Sequence, residues 1–158
     1  MISLDVKDRG VLDSLARLSR GLKDMTPVMA DVAQVLASES ERQFASESGP
    51  HGSWPALAPS TTAARTKKGT WPGQMLQVSA AGLAASVQTD HGYNFASIGS
   101  NKVYAAIQLL GGQAGRNHAV EIPARTYLPF DPETQDISEA AGRTVLDVLQ
   151  AHLDRMVG

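Results

Sequence analysis

The sequence predicts an α+β fold: a twisted antiparallel sheet with an N-terminal helical pair and a C-terminal helix packed on it, and long protruding loops. Three patterns carry this expectation. Val11, Leu12, Leu15, Leu18 and Leu22, then Val28, Val32, Val35, Leu36 and Phe44, recur at the spacing that lines one face of a helix. Ile137, Ala141, Val145, Val148, Leu149, His152 and Met156 do the same near the C-terminus. Between them, residues 87–90 and 93–98 form two runs flanking His91 and Gly92, a hairpin signature. The 158 residues are read as a single domain, 1–158, long enough to bury a core.

In chain order, residues 2–6 alternate apolar and polar and read as a short strand. Residues 10–46 read as two helices, or one helix kinked at Pro27. Thr26 is the expected N-cap of the second, with Pro27 in its first turn. The proline- and glycine-rich stretch 46–60 is a loop anchored by Trp54 and Leu57. Ser60 and Thr61 are expected to cap a short helical turn ending at Lys67 and Lys68, and residues 69–73 form another loop. Loops this long are usually functional or mobile, and neighbouring subunits are expected to order these. Ser79 is read as the cap of a short helix holding Leu83.

The stretch 100–130 organises the rest. Tyr104, Ile107 and Leu110 (or Gln108) suit one face of a short helix, stopped by Gly111 and Gly112, because glycine accepts the left-handed backbone at low cost. Val120 and Ile122 alternate with Ala119 and Glu121 as a half-buried strand. Pro123 ends that strand, since it cannot donate to a ladder. Tyr127, Leu128 and Phe130 are expected to pack on the core while the chain turns. A C-terminal helix follows, from about 133 to 156. Asp131, Glu133 and Asp136 are expected to cap it, where the helix dipole favours anions by about 0.3–1 kcal/mol.

Composition excludes several chemistries. There is no Cys, hence no disulfide, thiolate metal site or Cys nucleophile, as suits a reducing cytosol. His51, His91, His118 and His152 lack metal-ligand spacing, and solvated or packing roles are the ordinary ones for such residues. No Gly-x-Ser-x-Gly elbow is present. The glycines near Arg116 follow a helix-like block with no Walker lysine, so a loop is the simpler reading than a phosphate cradle. Net charge is −2, with pI near 6.0, which does not draw the whole chain to nucleic acid. No apolar run approaches membrane-spanning length, and the N-terminus has no signal-peptide core.

Some residues admit two readings. Arg125, set between Pro123 and Tyr127, is expected to be partly buried, either as an intrachain strut or in an intersubunit contact, and its planar fork suits a carboxylate. Trp54 and Trp71, each beside a proline in a loop, read as core plugs or interface anchors. Arg65, Lys67 and Lys68 form the densest basic cluster, which with Arg116 is a candidate contact for DNA phosphates or an acidic partner; the plain alternative is a solvated turn.

An ordered set of short motifs carries a resemblance. Phe44 is followed by Gly52-x-Trp54-Pro55-x-Leu57, then Ser60 and Thr61. Downstream come Tyr104-Ala105, the Gly111-Gly112 pair, and Ile122-Pro123-Ala124-Arg125-x-Tyr127-Leu128. Together, over residues 32–130, these resemble the virion morphogenesis (tail-completion, or neck) family of tailed bacteriophages. Gln108 stands where many relatives carry His, and Thr126 where many carry a second Pro.

The resemblance implies a non-enzymatic structural protein without cofactors or metal. It implies a homo-oligomeric ring, six-fold, at the head–tail junction of the virion, assembled in the host cytoplasm. The ring would terminate or complete the tail and join it to the DNA-filled head. Its partners would be the tail tube protein and head–tail connector or adaptor proteins. Packaged double-stranded DNA would pass through the lumen without sequence-specific binding, and no membrane is involved. Trp54, Leu57, Trp71, Tyr104, Arg125, Tyr127 and Phe130 are then the candidate subunit-interface residues, and a charge at Trp54 or Tyr127 is expected to leave heads and tails unjoined. The alternatives are a head-closure or stopper protein on the portal adaptor, or a morphogenesis factor outside the virion. A metal-dependent nuclease or hydrolase rests only on scattered His and acidic residues, and a DNA-binding regulator conflicts with the acidic net charge.

Overall fold

The computed structural model describes residues 9–134 and 136–157. The strand pattern of residues 2–6 lies outside them. Two helices, α1 (Arg9–Gly21) and α2 (Thr26–Ser46), open the described chain. A tight hairpin follows, β1 (Ser48–Gly49) with β2 (Gly52–Ser53), then α3 (Pro59–Lys67). Next come a longer hairpin, β3 (Val87–His91) with β4 (Ala96–Ser100), and the short helix α4 (Ala105–Leu110). Two further ladders, β5 (Gly112–Ala114) with β6 (Val120–Ile122) and β7 (Phe130–Asp131) with β8 (Asp136–Ile137), lead to α5 (Glu139–Val157). The class is α+β, as the sequence predicts. The described strands form four separate two-stranded antiparallel ladders, not one continuous sheet.

Helix α2 is the axis of the molecule. It packs on α5 and on both strands of the β3–β4 hairpin, while α1 packs on α5. Its predicted apolar face is the buried one: Val28, Val32, Leu36 and Phe44 are in the core and Val35 is half-buried. Small residues allow close approach between helices. Ala33 and Ala141 are buried, and a Cβ on Gly21 would stand 2.5 Å from the Met156 Sδ, so a larger residue there would displace the end of the Met156 side chain. Asp31 and His152 tie α2 to α5 through a 2.7 Å hydrogen bond.

The boundaries differ from the sequence reading where local signals compete. Thr26 is the first residue of α2 and not its cap; Asp24 Oδ1 accepts the Thr26 N–H at 2.9 Å. Pro59 opens α3 and the cap position is Ala58, so Ser60 and Thr61 lie within the first turn. No helix is capped by Ser79: its carbonyl closes a turn with Gly82 N–H, and only a 3-10 turn (Ala84–Ser86) follows Leu83. The β3–β4 turn spans residues 92–95, closed by Gly92 N–H donating to Phe95 O at 2.9 Å. Tyr93 and Phe95 therefore stand exposed at the tip instead of lying in a strand.

At the C-terminus, β8 occupies part of the span read as helix, and α5 begins at Glu139. The acidic residues expected to cap it do other work. Asp131 Oδ1 accepts the Glu133 and Thr134 N–H groups to form a turn, and Asp136 Oδ1 accepts from Ile137. At the start of α5, Ser138 O accepts the Gly142 N–H at 2.8 Å.

The stop after α4 follows the prediction. Gly111 sits at φ +73°, and an added Cβ would lie 2.8 Å from the Ala124 nitrogen, so only glycine fits the turn onto the next ladder. The inward face of α4 is different: Ala105 is buried and Leu109 packs on the core, while Tyr104 and Leu110 are exposed.

Candidate functional site

The motif residues converge on one knot. Phe44 of α2, Trp54 after β2, Leu83, Ala105 of α4 and Tyr127 form a buried cluster. The Phe44 ring meets Trp54 edge-on at 5.8 Å and Tyr127 at 5.3 Å. Such pairs contribute about 0.5–1.5 kcal/mol beyond their buried area. Each polar tip is satisfied by main chain. Trp54 Nε1 donates to Thr126 O at 3.1 Å, Tyr127 Oη donates to Ala105 O at 3.0 Å, and Ser40 Oγ donates to Tyr127 O at 2.7 Å. Burial pushes the Tyr127 phenol up to about 12. Three distant segments are thereby pinned to α2 and α4 by one loop.

Arg125 completes the knot. It is 5% exposed, and its Nε and Nη2 donate to Pro55 O at 3.1 and 2.9 Å, with Nη2 also reaching Ala56 O at 3.1 Å. Its own N–H donates to Gln108 O at 2.8 Å. Burial lowers the guanidinium from its usual value. Of its two predicted roles, the geometry gives the intrachain strut, and the partners are carbonyls and not a carboxylate. Trp54 and Tyr127 are likewise core residues, at 6% and 1% exposure. A charge at either would probe folding, not docking, contrary to the sequence expectation.

The basic cluster divides. Arg65 is 8% exposed and turned inward, its guanidinium donating to Thr70 O and Gln74 O, with Trp71 stacked 5.3 Å from its Cζ. It therefore braces the loop after α3. The stacking is worth about 0.5–1 kcal/mol. Lys67, Lys68 and Arg116 are exposed. Trp71 is partly exposed beside Arg65, and Leu57 and Phe130 are half-buried.

Beside the knot lies a groove of about 450 Å³. Leu57, Arg65, Leu76, Leu83, Gln108, Ile122 and Arg125 line it, and Val78, Tyr104 and Val120 expose apolar surface at its rim. Its two arginines are committed to carbonyls, and the Gln108 Oε1 has no hydrogen-bond partner. The sequence signals Arg125 and Tyr127 as important, but gives no sign of the loop 75–83 that closes the groove. That loop is held by Glu47, whose carboxylate accepts the Met75 N–H at 2.6 Å, and by Gln77, which donates to Phe44 O.

A second contact joins the β1–β2 turn to β7. His51 Nε2 lies 3.0 Å from Asp131 Oδ1. The Asp131 hydrogen bond raises the His51 pKa; the Glu133 N–H first, then His51, hold Asp131 below the usual carboxylate range. The contribution of His51 is fully present below the ordinary histidine value and is lost as pH rises through its raised one. That of Asp131 is present above the ordinary carboxylate value and is lost as pH falls through its depressed one. Asp131→Asn is therefore expected to return the His51 titration, followed by NMR, toward about 6.5. An unchanged His51 titration in that variant would contradict the clasp.

Among the described residues, no group of three or more His, Cys, Asp or Glu is placed to hold a metal ion, and no helix is long and apolar enough to cross a membrane. The knot and groove supply packing surfaces and hydrogen-bond groups. The chain is 30% identical over 141 residues to the Mu-like prophage FluMu G protein 2 of Haemophilus influenzae, covering 88% of this chain and 92% of that one. It is 31% identical over 153 residues to protein G of Escherichia phage Mu, a protein named for capsid assembly, covering 90% and 97%. No solved structure matches. Residues 6–154, with the knot, the groove and all five helices inside or overlapping them, match the phage virion morphogenesis family, and the chain belongs to that family.

Proposed function

We propose that this virion morphogenesis protein is a structural, non-catalytic component of the phage neck. Copies close into a six-fold ring at the head–tail junction. The ring completes the tail, docks on the tail tube protein, and presents a surface to the connector or adaptor proteins of the DNA-filled head. Double-stranded DNA passes through its lumen without base-specific contacts. One observation beyond family membership supports this reading most. Large apolar side chains stand in the open at the groove: Val78, Tyr104 and Val120, which line it, are each more than two-fifths exposed. Apolar surface of this kind around a concave site is characteristic of a surface that another protein covers.

Deleting the gene from an inducible prophage tests the proposal. Lysates viewed by electron microscopy are expected to contain filled heads and separate tails, or tails of irregular length. Normal joined particles would refute it. The capsid-assembly name of the phage Mu relative favours a second reading, action on the head side as a closure or stopper protein. Co-purification of the protein with full heads from a tail-deficient lysate, and not with tails from a head-deficient one, would select that reading.

A further inference from the structure

The groove beside the knot holds two buried cations and no anion to match them. Arg65 and Arg125 both line it. Each commits Nε and Nη2 to main-chain carbonyls. Among the described residues neither has an acceptor for Nη1, and neither makes an ion pair. Carbonyl dipoles orient a guanidinium but leave its charge uncancelled, and a buried charge without a counter-charge is costly. The one carboxylate in the wall, Glu121, is exposed. Next to Arg125, whose N–H bonds to the Gln108 main chain, the Gln108 Oε1 is buried with no donor. One wall is also an open strand edge. Val120, Glu121, Ile122 and Pro123 all line the groove, although successive side chains of a strand point to opposite faces. Four consecutive lining residues mark an edge, not a face. Among the described residues β6 pairs with β5 alone, so its other edge has no strand beside it.

We propose that the groove takes an extended acidic segment of another protein. The segment adds to the β6 edge as a third strand, turns a carboxylate onto the Arg65 and Arg125 guanidinium groups, and donates an N–H to Gln108 Oε1. Main-chain bonds along an edge supply affinity in such contacts, and alternate side chains supply specificity. Apolar residues flanking the carboxylate suit Val78, Tyr104 and Val120, which favours a peptide over a nucleic-acid backbone. Glu121 stays in solvent, where its repulsion is screened, while the arginines wait at depth. A second copy pairing β6 to β6, centred on the strand, would set Glu121 against Glu121, which like charges oppose. The proposal rests on the reading above of the groove as a surface that another protein covers, and names the chemistry of the contact.

The test selects a random-peptide library on the purified full chain. Enriched peptides are expected to carry Asp or Glu with apolar residues at alternate positions. A synthetic copy of the leading peptide should slow amide exchange at residues 120–122. Replacing its carboxylate by an amide should weaken binding roughly tenfold or more. Val120→Glu should weaken binding by a similar factor, whereas Val120→Lys, which removes the same apolar surface, should hold or strengthen it. Gln108→Leu, which removes an acceptor that nothing in the described chain uses, should weaken binding while leaving the fold intact by circular dichroism. No acidic preference among enriched peptides, equal losses in the two Val120 variants, or unchanged exchange at 120–122 would overturn the proposal. Self-association of the chain that Val120→Glu abolishes would overturn it in favour of a second copy. Acidic-peptide binding by a protein absent from the head–tail junction would keep this contact and sink the neck assignment; a junction protein without such binding would do the reverse.

Discussion

Replacing Tyr127 with alanine is expected to lower the unfolding free energy by about 3–5 kcal/mol, as large-to-small changes at buried aromatics do. The ring is 1% exposed and packs against Phe44 at 5.3 Å, so its removal leaves a cavity under α2. The Ala105 carbonyl loses its phenol donor in the same step. Tyr127→Phe separates the two effects. It keeps the packing and removes only the hydroxyl, and is expected to cost about 1–3 kcal/mol for the unpaired buried carbonyl. Urea titrations of the three proteins decide the matter. Equal midpoints for the wild type and Tyr127→Ala would show that the knot does not hold the fold.

Replacing Arg125 with methionine is expected to cost roughly 2–4 kcal/mol. Methionine fills part of the space but leaves Pro55 O and Ala56 O without their donors at the edge of the core. Arg125→Lys should recover less than half of the loss, because a single ammonium cannot reproduce the planar fork that serves both carbonyls. The effect should be local as well as global. Pro55 and Ala56 are held by Arg125, and Ala56 and Leu57 form one wall of the groove, so proteolysis of the native variant should begin in residues 54–58. A loss below about 0.5 kcal/mol, the level of an ordinary surface change, would contradict the strut.

The helices were legible in the sequence because their period is strong and local. Val28, Val32, Leu36 and Phe44 announced the buried face of α2, and the Gly111-Gly112 pair announced the end of α4. The β3–β4 turn was misplaced because Tyr93 and Phe95 alternate with polar neighbours and mimic a strand, while the ladder is set by pairing Val87 with Ser100. The inward face of α4 was misread because apolar Leu110 satisfies the period, whereas the core accepts small Ala105 and Leu109 beside Tyr127. Long-range partners leave no mark at all in local sequence. Arg125 stands out in the sequence, but its bond to Pro55 spans 70 residues, and a guanidinium bound to carbonyls looks no different in sequence from one facing a carboxylate. Arg65 read as a surface cation for the same reason, and the loop that bends back to receive it became visible only in three dimensions.

The neck assignment stands or falls on where this protein sits in the particle. Immunogold electron microscopy of virions carrying an epitope-tagged copy measures that position directly. Gold confined to the junction between head and tail is the expected result. Gold along the tail, at its distal tip, or absent from infectious particles would contradict the neck assignment.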